Sequence, residues 1–278
     1  MEWFQDPSLA RWVQTRGMSV GGIPLGFESY LKVLHPIPAL RPSQSPDEYE
    51  SAWWSWAHAA RQAGVGSVAA SSDWDSLFSD AGLPGRLGEW RVGEPTLGLL
   101  EPWILSVMTQ AIRGFATPDE QAVVAVWAGR GFAQLAGTDA AHPTSRVALD
   151  ERFIQLDRAR SVTRDPELGL ASSGPSSLLT GHLFTTGWRD YVLGSTTMTA
   201  LSSADWPAQS GLGWTASRDG LMPQLYWSTD HTWAIGTEID ANFTLVGGAA
   251  ELIRELHAIE TIESFVISDP DDPLLTAW

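Results

Sequence analysis

Glu238 and Asp240 stand two residues apart in "TWAIGTEIDANF", and His231 lies a short way upstream in "STDH". If the segment is a strand, side chains at i and i+2 share a face, and the two carboxylates sit about 7 Å apart. Such a pair can chelate a hard divalent cation, or separate its proton affinities for acid–base work. Ala234 and Gly236 precede them on that face and leave room for a ligand. The enzyme this chemistry would make is a metal-assisted hydrolase or transferase using Glu238 and Asp240, with His231 as an accessory base. A divalent metal is the one cofactor it would call for. A strand with one solvated side carries the same pattern, and a histidine following Asp230 also suits a capped turn, so spacing leaves both readings open.

Other chemistries find less support. The chain has no cysteine, which removes disulfides, thiolate nucleophiles and cysteine-ligated metals. Lys32 is its only lysine, so Schiff-base and lysine-dependent phosphate chemistry would rest on that residue alone. The six histidines, at 35, 58, 142, 182, 231 and 257, show no metal-ligand spacing of the HExxH kind. His35, before Pro36 in "KVLHPIP", reads as a loop or helix-end residue. Neither "GSTTM" nor "ASSDW" makes a nucleophile elbow. Gly247 and Gly248 follow a short strand and open a helix, an arrangement that can offer free backbone N–H groups to an anion, although an ordinary helix entry is the more frequent use and the nearby acids oppose a phosphate.

Charge points toward binding. The formal net charge is −16. That balance argues against nucleic acid, whose phosphates need clustered Lys and Arg. From Asp219 to Trp278 there are eleven acids and one base, Arg254. Asp269, Asp271 and Asp272 in "DPDDP" are the densest part of this segment, and a basic protein would complement it. Tryptophans supply interface anchors, and Trp54, Trp227 and Trp233 are the candidates. The leading expectation is an intracellular protein-binding module of the immunity, antitoxin or inhibitor type. A structural subunit held in an obligate oligomer is a further reading.

These residues must be held by elements whose outlines the pattern gives. "SPDEYESAWWSWAHAARQAG" reads as one helix, with Ser45 as N-cap, Glu48 completing a capping box and Gly64 as the stop. Trp54 and His58 then share a helix face. "TLGLLEPWILSVMTQAIRGF" is a second helix with Pro102 in its first turn. "TPDEQAVVAVWAGRG" reads as one helical turn followed by a β-branched strand. Residues 137–179 are linker-like apart from a short amphipathic helix in "ALDERFIQLDRAR". "HLFTTGWRDYVLG", "QLYW" and "TWAIGTEID" read as strands, the last two as a hairpin around "STDH". "AAELIRELHAI" is a helix with Leu252, Ile253 and Leu256 inward, and "SFVIS" closes the sheet. The expected class is α+β, a mixed or antiparallel sheet flanked by amphipathic helices. Residues 1–136 read as helix-rich and 180–278 as sheet-rich. No signal peptide or membrane span is evident, which places the expected compartment in the cytoplasm.

The blocks "GIPLGFESYLKVLHP", "TPDEQAVVAVWAGRG", "HLFTTGWRDYVLG", "QLYWSTDHTWAIGTEIDANFTLVGG" and "ISDPDD", in that order, resemble a group of uncharacterised actinobacterial proteins. The resemblance reaches both ends of the chain and implies one architectural unit of bacterial origin, in which two subdomains remain open. It implies no activity and no functional residue.

Overall fold

Apolar runs without a helical period set the strands. The computed structural model describes residues 1–4, 7–43, 49–116, 120–128, 184–186, 189–212, 214, 221–269 and 271–276. It shows an α+β fold of antiparallel sheets and several helices. The chain divides into two compact units, each drawn from both early and late sequence: residues 1–15 with 105–230, and residues 16–104 with 231–278. The division does not follow the helix-rich and sheet-rich halves that composition suggests.

In the first unit the β-branched run 122–126 is buried throughout and forms β7 (Gln121–Trp127). It pairs with β9 (Arg189–Thr197) on one side, Val124 opposite Gly194, and with β10 (Leu225–Ser228) on the other, Val124 opposite Tyr226. β1 (Glu2–Trp3) and β8 (Phe184–Thr186) share the far side of β9. Short helices at Arg11–Thr15 (α1), Met198–Leu201 (α5) and Trp206–Gln209 (α6) also belong to this unit. Helix α4 (Pro102–Ile112) begins on its proline as expected and buries Ile104, Leu105, Met108 and Ile112. The expected linker and its amphipathic helix, and the residues Thr117 and Pro118, lie outside the described residues.

The second unit carries two antiparallel sheets. One runs β11 (Ala234–Gly236), β12 (Phe243–Gly248), β2 (Ser29–Leu34), β13 (Ser264–Ile267), with β2 buried along its whole length. The other runs β4 (Tyr49–Trp54), β3 (Ile37–Pro42), β6 (Trp90–Val92), β5 (Gly85–Leu87). Helix α7 (Ala250–His257) has its expected inward stripe of Leu252, Ile253 and Leu256. It packs on β2, β12 and β13. Toward the smaller sheet, Leu34, Ile37, Ala39, Trp54, Trp56, Trp74, Phe78 and Val92 form a continuous core with α2 (Trp56–Ala63) and α3 (Trp74–Phe78). A short helix α8 (Pro273–Thr276) ends the described chain.

The single long helix expected over 45–64 is two elements. Residues 49–54 are the edge strand β4, and the helix starts after Ser55, whose hydroxyl accepts from the His58 N–H at 3.0 Å. Strand alternation wins because Ala52 and Trp54 face the core while Tyr49, Ser51 and Trp53 are exposed. Ser45 and Glu48, the expected capping box, lie outside the described residues.

Helix α2 has a cap that its own sequence does not supply. Glu263 accepts from Trp56 N at 2.5 Å and Ala57 N at 2.9 Å, so with Ser55 the first three N–H groups of the helix are all satisfied. Burial pushes the Glu263 carboxyl up, while the two backbone donors and Arg61 pull it down. A Glu263→Gln variant keeps the shape but presents an amide donor to a helix N–H. It should lose about 1–3 kcal/mol in chemical denaturation, with the native far-UV spectrum retained.

Candidate functional site

The turn containing Glu238 and Asp240 is not part of a strand. β11 ends at Gly236, and the chain turns at once, with Ala241 N donating to Glu238 O at 2.9 Å. Glu238 and Asp240 therefore occupy the first and third positions of a turn rather than one strand face. Glu238 is 8% exposed and Asp240 is exposed. The shared-face chelate deduced from alternation is thus corrected. Among the described residues no group of three or more His, Asp and Glu side chains is arranged to hold a metal ion. His231 is exposed in the bend before β11, with a left-handed backbone at φ 64°.

Tight packing fixes this turn. Gly98 N donates to Ala241 O at 2.8 Å, and a Cβ at Gly98 would run into the Ile239 backbone. Gly98 also holds φ at +68°, so glycine is required there twice over.

Behind the turn lies the strongest polar constellation of the second unit, and it centres on His35. The ring is fully buried, in the connection between β2 and β3. Nδ1 is 2.6 Å from Thr96 O and Nε2 is 3.0 Å from Thr244 Oγ1, which is itself 2.6 Å from Thr237 Oγ1. A carbonyl can only accept, so Nδ1 carries the proton and Nε2 accepts from the Thr244 hydroxyl. The Thr244 hydrogen is then committed, and Thr237 donates to Thr244. Burial holds the His35 pKa down to about 4, against a smaller upward pull from the Thr96 carbonyl. The imidazole is neutral and sealed, with both nitrogens bonded within the protein. Its geometry positions a turn rather than a substrate.

Lys32 is equally internal. Its amine, on β2, donates to Ala70 O at 2.7 Å and lies 4.5 Å from the centroid of the Phe243 ring. Burial lowers its pKa and Asp73 opposes that shift. The sole lysine thus ties the loop before α3 to the main sheet.

The tryptophans chosen as binding anchors are core residues. Trp227 and Trp233 are each 1% exposed and Trp54 is 7% exposed. Trp227 meets Trp12 edge to face at 6.2 Å, and Trp54 packs against both Trp90 and His58. Among the described residues the exposed tryptophan is its neighbour Trp53. Strand alternation on β4 decides which of the two is buried, whereas helical spacing inverts the choice. Gly247 and Gly248 open neither an anion site nor the helix. Both glycines are buried in β12, a Cβ at Gly247 would strike the Phe27 ring, and the N–H of Ala250 is taken by Glu28 Oε2 at 3.1 Å.

What faces outward here is mostly carboxylate, with Arg254 and His257 of α7 exposed among the acids. Glu251 and Glu255 on α7, Glu260 in the following loop, and Asp269 and Asp271 after β13 are all exposed. Among the described residues β13 is the edge strand of its sheet, and Val266 on it is 39% exposed. Asp272 instead caps α8, accepting from Leu274 N at 2.8 Å, and Asp269 Oδ1 accepts from Asp271 N at 3.0 Å. Sequence singled out Asp269 and Asp271 from their density. It did not separate Glu263, which is spent on α2, from the acids that reach water.

No protein-family model matches the chain, and neither curated proteins nor solved structures yield a match. Among the described residues, no helix is long and apolar enough to cross a membrane.

Proposed function

We propose that the chain is a protein-binding module that receives a basic partner on the carboxylate rim of its second unit. One observation carries this reading: Glu251, Glu255, Glu260, Asp269 and Asp271 are exposed with one exposed arginine, Arg254, among them, and along the chain they bracket a strand that is an edge among the described residues and carries an outward valine. An edge strand offers unpaired backbone groups, and surrounding carboxylates steer and select a cationic segment. The buried polar groups support the same reading from the other side. His35, Lys32 and Glu263 all have internal partners, so their chemistry serves the scaffold. Trp54, Trp227 and Trp233 of the sequence-based expectation drop out of the interface with Asp272, and Asp269 and Asp271 remain.

The test begins with affinity capture at low salt on the full chain. A Glu255→Gln, Glu260→Gln, Asp269→Asn, Asp271→Asn variant is run beside it. A salt-sensitive basic partner should be retained by the native chain and lost from the variant, with an affinity drop of roughly tenfold or more by calorimetry. Recovery of no such partner, or equal binding by both proteins, would overturn the proposal.

A further inference from the structure

Hydrogen bonds at the end of β2 show which backbone groups of β13 are left over. Leu34 N donates to Glu263 O at 2.9 Å, and His35 N donates to Asn242 O at 2.9 Å. Along an antiparallel pair, alternate residues exchange bonds with the neighbouring strand and the residues between them turn the other way. Even-numbered residues of β2 therefore bond β13 and odd-numbered ones bond β12, with Lys32 opposite Phe265 and Tyr30 opposite Ile267. Phe265 and Ile267 thus spend their N–H and C=O groups on β2, and Ser264 and Val266 aim theirs away from the sheet. Among the described residues no further strand pairs with β13 on that side. The outward groups recur about 7 Å apart, the spacing at which an added strand takes up its bonds.

The side chains of β13 divide between two faces. Ser264 Oγ lies 3.1 Å from Nδ1 of His257 at the end of α7, so Ser264 and, two residues on, Val266 share the α7 face. Phe265 is half-buried on the other face, packed against the core of the smaller sheet. A strand laid beside β13 would alternate in the same way. Its residues level with Ser264 and Val266 would rise on the side of α7, the helix that exposes Glu251 and Glu255, and those between would cover Phe265. Long cationic side chains suit the first set, since their methylene stems cover Val266 while their charged heads stay in water beside carboxylates. Apolar side chains suit the second.

We propose that β13 takes up the partner as an added strand, an extended segment in which Lys or Arg alternates with apolar residues, bonded through the main chain of Ser264 and Val266. The inference rests on the carboxylate rim as the site of a basic partner, and adds that partner's conformation, pattern and bonding atoms. A second copy of this chain fits poorly, because pairing edge to edge would bring two carboxylate rims together. Nucleic acid fits no better, since the segment from Asp219 to Trp278 holds eleven acids and one base.

The test selects displayed random peptides on the immobilised full chain and measures the enriched sequences by fluorescence anisotropy. Enriched peptides should show the basic and apolar alternation, and should bind the Glu255→Gln, Glu260→Gln, Asp269→Asn, Asp271→Asn variant roughly tenfold or more weakly. N-methylation of the peptide backbone should weaken binding roughly fivefold or more at every second residue, and less than about twofold at the residues between. Val266→Pro removes an N–H that the ladder to β2 does not use, and should weaken binding roughly fivefold or more with the native far-UV spectrum retained. Val266→Thr keeps that N–H and should change binding by less than about twofold. Where the proline variant fails to fold, the N-methyl series decides alone. Binding that depends on the acids but shows no period of two, and ignores Val266→Pro, would overturn this inference and leave the proposed function standing. No enrichment of basic peptides, or binding indifferent to the acid variant, would overturn both. Self-association in sedimentation, abolished by Val266→Pro, would make the occupant a second copy and overturn the inference as well.

Discussion

Replacing His35 with leucine should cost about 3 kcal/mol of stability near neutral pH, although the side chains are similar in size. The Thr96 carbonyl loses its donor and the Thr244 hydroxyl loses its acceptor, both beside a fully buried ring position. The native protein carries a second signature of this histidine. Its pKa is depressed to about 4 from an ordinary 6.5. Between those values the unfolded chain binds a proton that the folded chain refuses. Stability from this group is therefore full above about pH 6.5, falls as the pH drops, and levels off below about pH 4, for a loss of about 3 kcal/mol. Urea denaturation across that range should show a shallower pH dependence in His35→Leu than in the native chain. Equal slopes would show that His35 does not titrate as its burial demands.

Trp56→Ala should have the larger effect, about 4 kcal/mol. Its indole is fully buried, meets Trp74 edge to face at 5.4 Å and Phe78 at 6.2 Å, and donates from Nε1 to the His35 carbonyl at 2.9 Å. Truncation removes the ring around which two helices and the smaller sheet are packed, and leaves that carbonyl unpaired. Trp56→Phe helps to separate the two causes, since it keeps an aromatic ring while losing the donor and the smaller part of the indole, at about 2 kcal/mol. Thermal unfolding followed by near-UV circular dichroism would rank the two variants. A Phe variant as damaged as the Ala variant would shift the weight from packing to the hydrogen bond.

Helices with a clean stripe were legible in the sequence. Leu252, Ile253 and Leu256 in α7, and Pro102 opening α4, are where spacing and capping chemistry place them. The β-branched runs of β7 and β13 were legible for the same reason. The helix of residues 56–63 with its stop at Gly64 was legible too, but residues 49–54 were not, because Tyr49, Ala52, Trp53 and Trp56 satisfy a helical period while the fold uses a period of two up to Trp54. Gly247 and Gly248 misled because the glycines serve close packing inside β12 and not a helix entry. Glu238 and Asp240 shared a face only if β11 ran on, and a turn cannot be distinguished from a strand by alternation over so few residues. His35 gave one usable signal, a polar residue inside the apolar run "KVLHPIP". Its hydroxyl partner Thr244 lies far along the chain, beyond any local pattern. The β5–β6 hairpin carries a local signal of its own in "GRLGEWRVG", a two-residue Gly-Glu turn with Gly88 at φ 61°.

The exposed carboxylates separate the functional reading from the structural one, because the buried groups of His35, Lys32 and Glu263 already have internal partners. The most direct measurement is the salt dependence of affinity for the captured basic partner, native chain against the Glu255→Gln, Glu260→Gln, Asp269→Asn, Asp271→Asn variant. The native complex should weaken steeply as salt rises through the physiological range, and the variant should be weaker at low salt with a nearly flat response. Two parallel lines of equal steepness would place the partner elsewhere and contradict the account.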